Sequence, residues 1–451
     1  MSFWRLLEEI SNVRMAVGRK GYFQSLSEEA QFADKTTVRR HRPDYQLVLY
    51  MGLLMMVGLI IMYAIGPQRA NVLNNAYGSD YSGTYFFVKQ LISLGLALAA
   101  FGLMASIPYT LLTKHASKIL MVAFGACALL AVAGWANMSI AQQTLGATRW
   151  FNLGALGSFQ PAELVKYAIL IFMAGFLGGK VKQGKLNDVN ATLYPLAIVA
   201  AIAVLFIVII QKDFGTGVSL VGIIVSMLVV SGLNFKNAGK ILLLVLLIGG
   251  VLIFSAPHRI DRFVTFLNGD NSSQTDPNSY HVDQAKLAIG TGGLFGVGVG
   301  NSIQATGYLP EAINDSVFAI IGETFGFVGL VTVLALFTAL LIRLLVLMDH
   351  LVDVRLKLLV AGVFGWFGSH VILNVASMVG LIPLTGITLP MLSFGGTSLL
   401  FIAAALGLVF QLSRYTVHPS SLKEAARYED SSSRRGIRRS RHTSRSGFTR
   451  N

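Results

Sequence analysis

Three acidic residues lie where a polar loop runs into an apolar helix, in a chain with few charged residues. The segment YLPEAINDSVFAIIGETFGFVG, residues 308–329, contains Glu311, Asp315 and Glu323, although only 13% of the chain is charged. A carboxylate at such a position can take a proton from a substrate hydroxyl and so act as a general base. Asp315 and both of its neighbours are also favoured N-cap residue types, so the alternative is that Asp315 only caps the helix.

Glu323 is expected well below the membrane interface. It follows Asp315 by eight residues, which corresponds to about 12 Å along a helix. A carboxylate buried at that depth needs a hydrogen-bonding partner or a proton. We therefore expect a satisfied hydrogen bond between helices, with a direct role in chemistry as the alternative.

A second charged group lies in GATRWFNLGALGSFQPAELVKYAIL, residues 146–170. Pro161 suits the first turn of a helix, and Glu163 then lies where the helix dipole favours a negative charge. Lys166 follows about 4.5 Å further along the axis. Ionisable residues inside membrane helices are costly and often functional. The pair predicts either an ion pair that stabilises the helix end or a cation that binds an anionic ligand.

Arg149 and Trp150 precede this helix and could bind an anionic ligand together with Lys166. The turn QKDFGTG, residues 211–217, adds Asp213, which either caps the next helix or orients the cationic group. We expect these carboxylates and cations to surround one pocket that faces water at the outer side of the membrane.

Hydropathy assigns the chain to the polytopic membrane proteins. The mean hydropathy is +0.63 over 451 residues, and several apolar runs reach the length of about 18 residues that spans a bilayer. The single cysteine, Cys127, lies inside an apolar run, which excludes a disulfide framework and a cysteine metal site.

The apolar runs predict an all-α fold of about ten transmembrane helices. They lie at 46–66, 84–106, 117–137, 161–179, 192–210, 216–233, 240–256, 315–345, 358–380 and 391–413. An even number puts both termini on one side, and the short loops rich in lysine and arginine fall on that same side. Since cytoplasmic loops carry the excess of basic residues, both termini are predicted to be cytoplasmic.

The remaining segments are polar. Residues 1–44 hold eight Lys or Arg, and the chain after Pro419 holds nine. We interpret 1–44 as a basic cytoplasmic segment without a cleaved signal peptide and 415–451 as a disordered basic tail that touches anionic lipid. Because the positive charge flanks membrane helices, no nucleic-acid partner is expected. The outer side has two larger loops, 138–160 and, between the seventh and eighth helices, 257–314.

Four blocks of the membrane domain, 45–414, resemble signature sequences of the SEDS family (shape, elongation, division and sporulation). They are GATRWFNLG…FQPAELVK, QKDFGT, AIGTGGLFGVGVGNS…YLPEAINDSVFAIIGE and GLIPLTGITLPMLSFGGTSLL. The family contains FtsW-, RodA- and SpoVE-like proteins, ten-helix membrane glycosyltransferases that polymerise peptidoglycan from lipid II. NDSVF and GITLP resemble the division-type, FtsW-like branch, which implies septal wall synthesis in the bacterial cytoplasmic membrane.

The resemblance also assigns roles to residues. It implies that Asp315 is the essential catalytic acid. It implies substrate contacts for the residues at the family's other motif positions, namely Arg149, Trp150, Glu163, Lys166, Asp213 and Glu311. One departure is Lys212, which stands where the family has a proline and adds positive charge beside Asp213.

The family further implies partners and rival functions. The expected partners are lipid II, polyprenyl-linked glycan, membrane lipids, a class B penicillin-binding protein and other division proteins. A divalent cation, Mg²⁺ or Mn²⁺, could assist with the diphosphate, and no organic cofactor is expected. The alternatives are an elongation-type (RodA-like) polymerase, a lipid II flippase, and a scaffold that recruits a transpeptidase.

Overall fold

The computed structural model describes most of the membrane domain. The described residues are 42–144, 147–154, 157–254 and 277–416. The two predicted basic terminal segments lie outside them, apart from 42–44 and 415–416. The first part of the larger outer loop, up to residue 276, also lies outside them.

Helices dominate the described chain, and they are α1 (Tyr45–Tyr77), α2 (Tyr85–Ser106), α3 (Tyr109–Lys114), α4 (Ala116–Trp135), α5 (Pro161–Lys182), α6 (Tyr194–Val204), α7 (Phe214–Ser231), α8 (Phe235–Phe254), α9 (Pro277–Thr291), α10 (Val317–Asp349), α11 (Val354–Met378) and α12 (Gly396–Leu412). Two π-helical segments, Val189–Leu193 and Leu205–Ile210, extend α6 at both ends. In this part of the chain nine helices are long and apolar enough to cross a membrane. The helix α8 contains residues 240–254 of the remaining predicted segment, and the prediction of a helical polytopic membrane protein is confirmed.

The first and last membrane helices meet at the same end of the molecule. The backbone N–H of Asp44, just before α1, donates to Ser413 Oγ after α12 at 2.9 Å. The Asp44 carboxylate forms an ion pair of 2.5 Å with Arg343 near the end of α10. These contacts place both ends of the membrane domain on one side, as an even number of crossings requires.

The buried core contains α5, α11 and α12, which are enclosed over most of their length, whereas α2 faces outward over most of its length. The largest side chains in this core are apolar, with one exception, Lys166, which has no exposed surface. A lysine in such a position must have its charge compensated by neighbouring groups.

A small antiparallel sheet on the outer side was not predicted. Its strands β1 (Ala141–Thr144), β2 (Ala147–Asn152) and β3 (Ser158–Phe159) pair in the order β1-β2-β3. Thr397 Oγ1 at the start of α12 donates to the Ser158 carbonyl at 2.6 Å. The sheet therefore leads the chain directly into Pro161, which occupies the first turn of α5 as predicted.

The glycine-rich segment after α9 folds back against a break in α10. Gly326 has φ +67° and ψ −164° inside α10, so the backbone carbonyls around it are available to other partners. Val297 N–H donates to the Glu323 carbonyl at 2.9 Å, and Gly298 N–H donates to the Thr324 carbonyl at 3.1 Å. A Cβ on Gly326 would lie 2.4 Å from the Gly296 nitrogen.

The prediction of a hydrogen bond between helices for Glu323 is wrong, because the partners of this carboxylate lie in the loop. It accepts from Ser302 Oγ at 2.5 Å, from Ile303 N–H at 2.9 Å and from Gln304 N–H at 3.2 Å. The glycine-rich segment brings these donors to α10, which a local pattern of residues does not indicate. Glu323 thus binds residues 302–304 of the loop that precedes Asp315 to α10.

We expect Gly326→Ala to destabilise the protein by about 1–3 kcal/mol or more, because the left-handed φ disfavours any other residue and the new Cβ meets backbone atoms. Thermal unfolding of the purified protein in detergent measures the effect. Gly52→Ala in α1 is the matched control, since a Cβ there meets no atom within 4 Å and alanine favours the helix. Equal melting temperatures for the two variants would contradict this interpretation.

Candidate functional site

Asp315 lies just before α10, but it is not the N-cap residue. Ser316 occupies the N-cap position, and its hydroxyl donates to the Pro310 carbonyl at 2.8 Å instead of capping the helix. The Asp315 carbonyl accepts from Asn374 Nδ2 of α11 at 2.6 Å. The backbone of Asp315 is therefore fixed to α11, and its side chain is half-buried at the outer side.

The turn that carries Asp315 is also fixed to α9. The distance from His281 Nε2 to Ser316 Oγ is 2.6 Å. Because the serine hydroxyl already donates to Pro310, the imidazole N–H is the donor in this bond. The loop helix α9, which the hydropathy pattern did not indicate, thus supports the turn from the other side.

Glu163 and Lys166 form a buried ion pair near the start of α5. The Glu163 Oε1 to Lys166 Nζ distance is 2.8 Å, and the exposed fractions of the two side chains are 3% and 0%. Lys166 Nζ also lies 3.0 Å from His370 Nε2 and 4.9 Å from the centre of the Trp366 ring. The ion pair that the sequence offered as one alternative is present, and direct binding of a ligand by Lys166 stays a prediction.

The helix α11 brings this ion pair close to Asp315. His370, which contacts Lys166, and Asn374, which binds the Asp315 backbone, are four residues apart in α11. Residues with this spacing lie on one helix face, about 6 Å apart along the axis. The basic group near the start of α5 and the acid before α10 therefore lie next to the same face of α11.

The loop between α11 and α12 lines the same region. Asn374 Nδ2 donates to the Ile387 carbonyl at 2.7 Å. Gly386 has φ +68°, and a Cβ there would lie 3.9 Å from Asp315 Oδ2. The loop backbone thus approaches the Asp315 carboxylate closely at a position that favours glycine.

Asp213 caps α7, which is one of the two roles that the sequence offered for it, and its role in orienting the cationic group stays a prediction. Its carboxylate caps α7 by accepting from Thr216 N–H at 3.0 Å and from Thr216 Oγ1 at 2.8 Å. It also accepts from Gln160 Nε2 at 2.9 Å, just before the first residue of α5. This bond joins the residue before α5 to the start of α7.

Arg149 on β2 binds the turn that carries Asp213. Its Nε donates to the Gln211 carbonyl at 3.2 Å, and its Nη2 donates to the Lys212 carbonyl at 2.8 Å. Lys212 has φ +53°, a conformation that proline cannot adopt because its ring fixes φ near −65°. The backbone of this turn therefore does not accommodate the proline that the resemblance implies at position 212.

Trp150 lies on β2, and Glu311 lies in the turn before α10. Trp150 follows Arg149 on β2 and pairs with Gln142 of β1. Arg149 is the extra residue of a bulge in β2, because Thr148 pairs with Gln143 and Trp150 with the adjacent Gln142. Glu311 is exposed, has φ +50° and accepts from Asn314 Nδ2. Their predicted contacts with substrate stay predictions.

Sequence reasoning missed His370, Asn374 and Gln160. His370 and Asn374 are the polar residues of HVILN in an otherwise apolar stretch of α11. Two hydrogen-bonding side chains four residues apart on one face of a membrane helix are a signal that they share a function. Gln160 gives no comparable signal, because its partner Asp213 lies far away in the sequence.

Metal-binding residues do not form a cluster in the described chain, where no group of three or more His, Cys, Asp or Glu side chains could hold a metal ion. Mg²⁺, however, is often held by one or two carboxylates together with substrate phosphates. The described residues therefore fit a cation that is shared with a ligand and do not form a closed protein site.

We expect Lys166→Met to destabilise the protein by about 3–5 kcal/mol, because it leaves the buried Glu163 charge without its partner. The double variant Lys166→Met, Glu163→Gln removes both charges and should lose less than Lys166→Met alone. Thermal unfolding in detergent measures both. Arg355→Met is the control, since the Arg355–Asp353 pair is partly exposed and should contribute about 1 kcal/mol or less. A double variant as unstable as Lys166→Met would contradict the prediction.

Comparison with known proteins identifies relatives along nearly the whole membrane domain. Residues 45–418 match the family model FtsW/RodA/SpoVE, described as cell cycle protein. Stage V sporulation protein E of Bacillus subtilis (strain 168) is 33% identical over 84% of this chain and 99% of its own. A probable peptidoglycan glycosyltransferase FtsW of Aliivibrio salmonicida (strain LFI1238) is 31% identical over 82% of this chain and 88% of its own.

Solved structures share the fold. A chain of a peptidoglycan synthase complex, solved to describe the coordination of polymerization and crosslinking, is 25% identical and superposes with a TM-score of 0.65, covering 83% of this chain and 99% of that chain. The rod shape determining protein RodA of Thermus thermophilus superposes with a TM-score of 0.58 at 24% identity, covering 83% of this chain and 98% of its own. The match over residues 45–418 and the identity to the sporulation protein show that the chain belongs to the FtsW/RodA/SpoVE family of multi-pass membrane proteins.

Proposed function

We propose that this protein is a peptidoglycan glycosyltransferase that polymerises lipid II at the outer face of the bacterial cytoplasmic membrane. The observation that carries the proposal is the position of Asp315, a half-buried carboxylate whose backbone is fixed to the face of α11 that also contacts Lys166. The names of the FtsW relatives, probable peptidoglycan glycosyltransferases, support the same activity.

Asp315 acts as the general base. The oxygen of the 4-hydroxyl of a lipid II sugar attacks the anomeric carbon of the growing glycan, and the bond from that carbon to the diphosphate oxygen breaks. The hydroxyl proton passes to the Asp315 carboxylate, and polyprenyl diphosphate leaves. A hydroxyl is a weak nucleophile, so removal of its proton in the transition state contributes about 10²–10⁴-fold to the rate.

Arg149 is the cation that suits the leaving diphosphate. Its side chain is half-buried, and two of its five N–H donors bind the carbonyls of Gln211 and Lys212. The remaining donors of a guanidinium match phosphate oxygens in geometry and charge. Donors fixed in this way stabilise the charge that develops on the leaving group.

Lys166 supplies a fixed positive charge from inside the protein. It is fully buried and bound to Glu163 and His370. Its positive charge therefore acts on the leaving diphosphate through the electric field and without direct contact with the substrate. Charges in a medium of low polarity act over longer distances than in water. Glu163 and Asp213 hold the cationic groups and the starts of α5 and α7 in place.

The proposed location is the division septum, with a class B penicillin-binding protein and other division proteins as partners. NDSVF, residues 314–318, and GITLP, residues 386–390, support the division branch, and so do the relatives that are named FtsW. The polyprenyl tails of lipid II and of the glycan would lie along the apolar side chains that α2 and other helices expose outward.

We expect Asp315→Ala and Asp315→Asn to reduce polymer formation by about 100-fold or more, since neither side chain can accept the proton. The measurement is glycan polymer formed from purified lipid II, with folding checked by thermal unfolding. Asp80→Asn is the matched control, because Asp80 is an exposed acid between α1 and α2 and should leave activity unchanged. Undiminished polymer from both Asp315 variants would eliminate Asp315 as the base, and transfer of lipid II across vesicles without polymer would favour a flippase.

A divalent cation fits this site as a ligand shared between protein and substrate. Asp315 would hold it together with the diphosphate oxygens, and the cation would supply neutralisation of the leaving group. The described residues supply too few carboxylates for a closed site, so the cation is expected to bind with substrate.

We therefore expect EDTA to abolish polymer formation and Mg²⁺ or Mn²⁺ to restore it, because the diphosphate needs charge neutralisation as it leaves. The assay is polymer yield from lipid II at a series of free metal concentrations. The melting temperature of the protein without substrate should stay the same in EDTA, since no closed protein site is lost. Full activity in EDTA would show that Arg149 and the fixed charges suffice.

A further inference from the structure

We propose that His370 is a positioning residue that joins the Lys166 ammonium to the loop between α11 and α12 beside Asp315, and that catalysis requires this joint. The inference rests on the proposed function. His370 is buried in α11, touches Lys166 on one side and the loop on the other, and takes no part in the chemistry described above.

The hydrogen bonds of Lys166 determine the state of the His370 ring. A lysine ammonium has only donors, so Lys166 Nζ donates across the 3.0 Å distance to His370 Nε2. Nε2 is then the unprotonated nitrogen of a neutral imidazole, and the proton lies on Nδ1. The Nδ1–H in turn donates to the Thr388 carbonyl, 3.3 Å away. His370 therefore makes two hydrogen bonds of fixed direction.

Thr388 belongs to the part of the loop that lies beside the proposed base. It is two residues from Gly386, whose Cβ position is 3.9 Å from Asp315 Oδ2. Asn374, one turn after His370, holds the neighbouring Ile387 carbonyl and the Asp315 carbonyl. The residues 382–389 have no helix or strand to fix them, so His370 and Asn374 together determine where this loop lies against Asp315.

The two hydrogen bonds of His370 explain why the buried part of α11 carries a histidine. A buried imidazole without partners is unfavourable, and both ring nitrogens here have them. Removal of His370 takes one acceptor from the buried ammonium and one donor from the loop at the same time. The loop and the ion pair then lose their direct connection, while the groups that contact substrate are unchanged.

The expected effect is on the turnover number. His370 contacts no substrate in the proposed mechanism, so the KM for lipid II should change by less than about 3-fold. A misplacement of the base by about 1 Å can cost about 100-fold in rate. A variant that loses an interaction made only in the transition state lowers kcat and leaves KM unchanged.

The test compares His370→Phe, which keeps a ring of similar size without hydrogen bonds, with His370→Gln, whose amide can both accept from Lys166 and donate. We expect His370→Phe to lower kcat by about 10-fold or more, and His370→Gln to recover most of the loss. His115→Phe is the control, since His115 lies at the opposite end of the bundle before α4 and should behave as wild type. Rates are measured with lipid II and divided by the folded fraction from thermal unfolding.

The outcomes separate this inference from the proposed function. Wild-type protein that forms no polymer would overturn the proposed function and this inference with it. If the wild type is active, an unchanged kcat in His370→Phe would overturn this inference alone. If His370→Phe does not fold, His370→Asn replaces it, because its shorter amide reaches Thr388 but not Lys166. A kcat for His370→Asn equal to that of His370→Gln would then overturn the proposal, and a much lower one would support it.

Discussion

The compensation of one buried charge determines how the central helices meet. Lys166 has no exposed surface, and an ammonium in an apolar core is tolerated only with partners of good geometry. Its partners come from two helices, Glu163 from α5 and His370 from α11. The need to satisfy this charge therefore fixes the rotation and height of α5 against α11. Asp315 depends on that arrangement, because its backbone is bound to α11 through Asn374.

The irregular backbone at the outer edge of the membrane must also find partners for its polar groups. Peptide groups outside helices must find partners there, because the surrounding lipid offers none. In the described chain, side chains supply many of them: Asn374 binds two carbonyls, Arg149 binds two more, and Glu323 binds two backbone N–H groups. Several polar residues that look catalytic by type thus hold the loops in place in this structure.

The sequence predicted what depends on local patterns. The apolar runs predicted ten membrane segments, and nine helices of the described residues are long and apolar enough to be such segments. Pro161 indicated the first residue of α5. The three-stranded sheet, the helix α9 and the loop partners of Glu323 depend on contacts between distant segments, and no periodicity indicated them. The capping alternative for Asp315 failed for a related reason, since Ser316 holds the N-cap position and Asn374 and His281 fix the turn from other helices.

The two acids on either side of the start of α10 show how environment separates roles within one motif. Glu323 is buried, and both of its carboxylate oxygens accept hydrogen bonds from residues 302–304, so a substrate hydroxyl could reach it only if the loop moved away. Asp315 is held through its backbone carbonyl, and its side chain is half-buried. A base must be both fixed and reachable. Of these two acids, the half-buried Asp315 suits the proposed role of base better than Glu323, whose two oxygens are both occupied by the loop, and α11 fixes the position of Asp315 by binding its main chain.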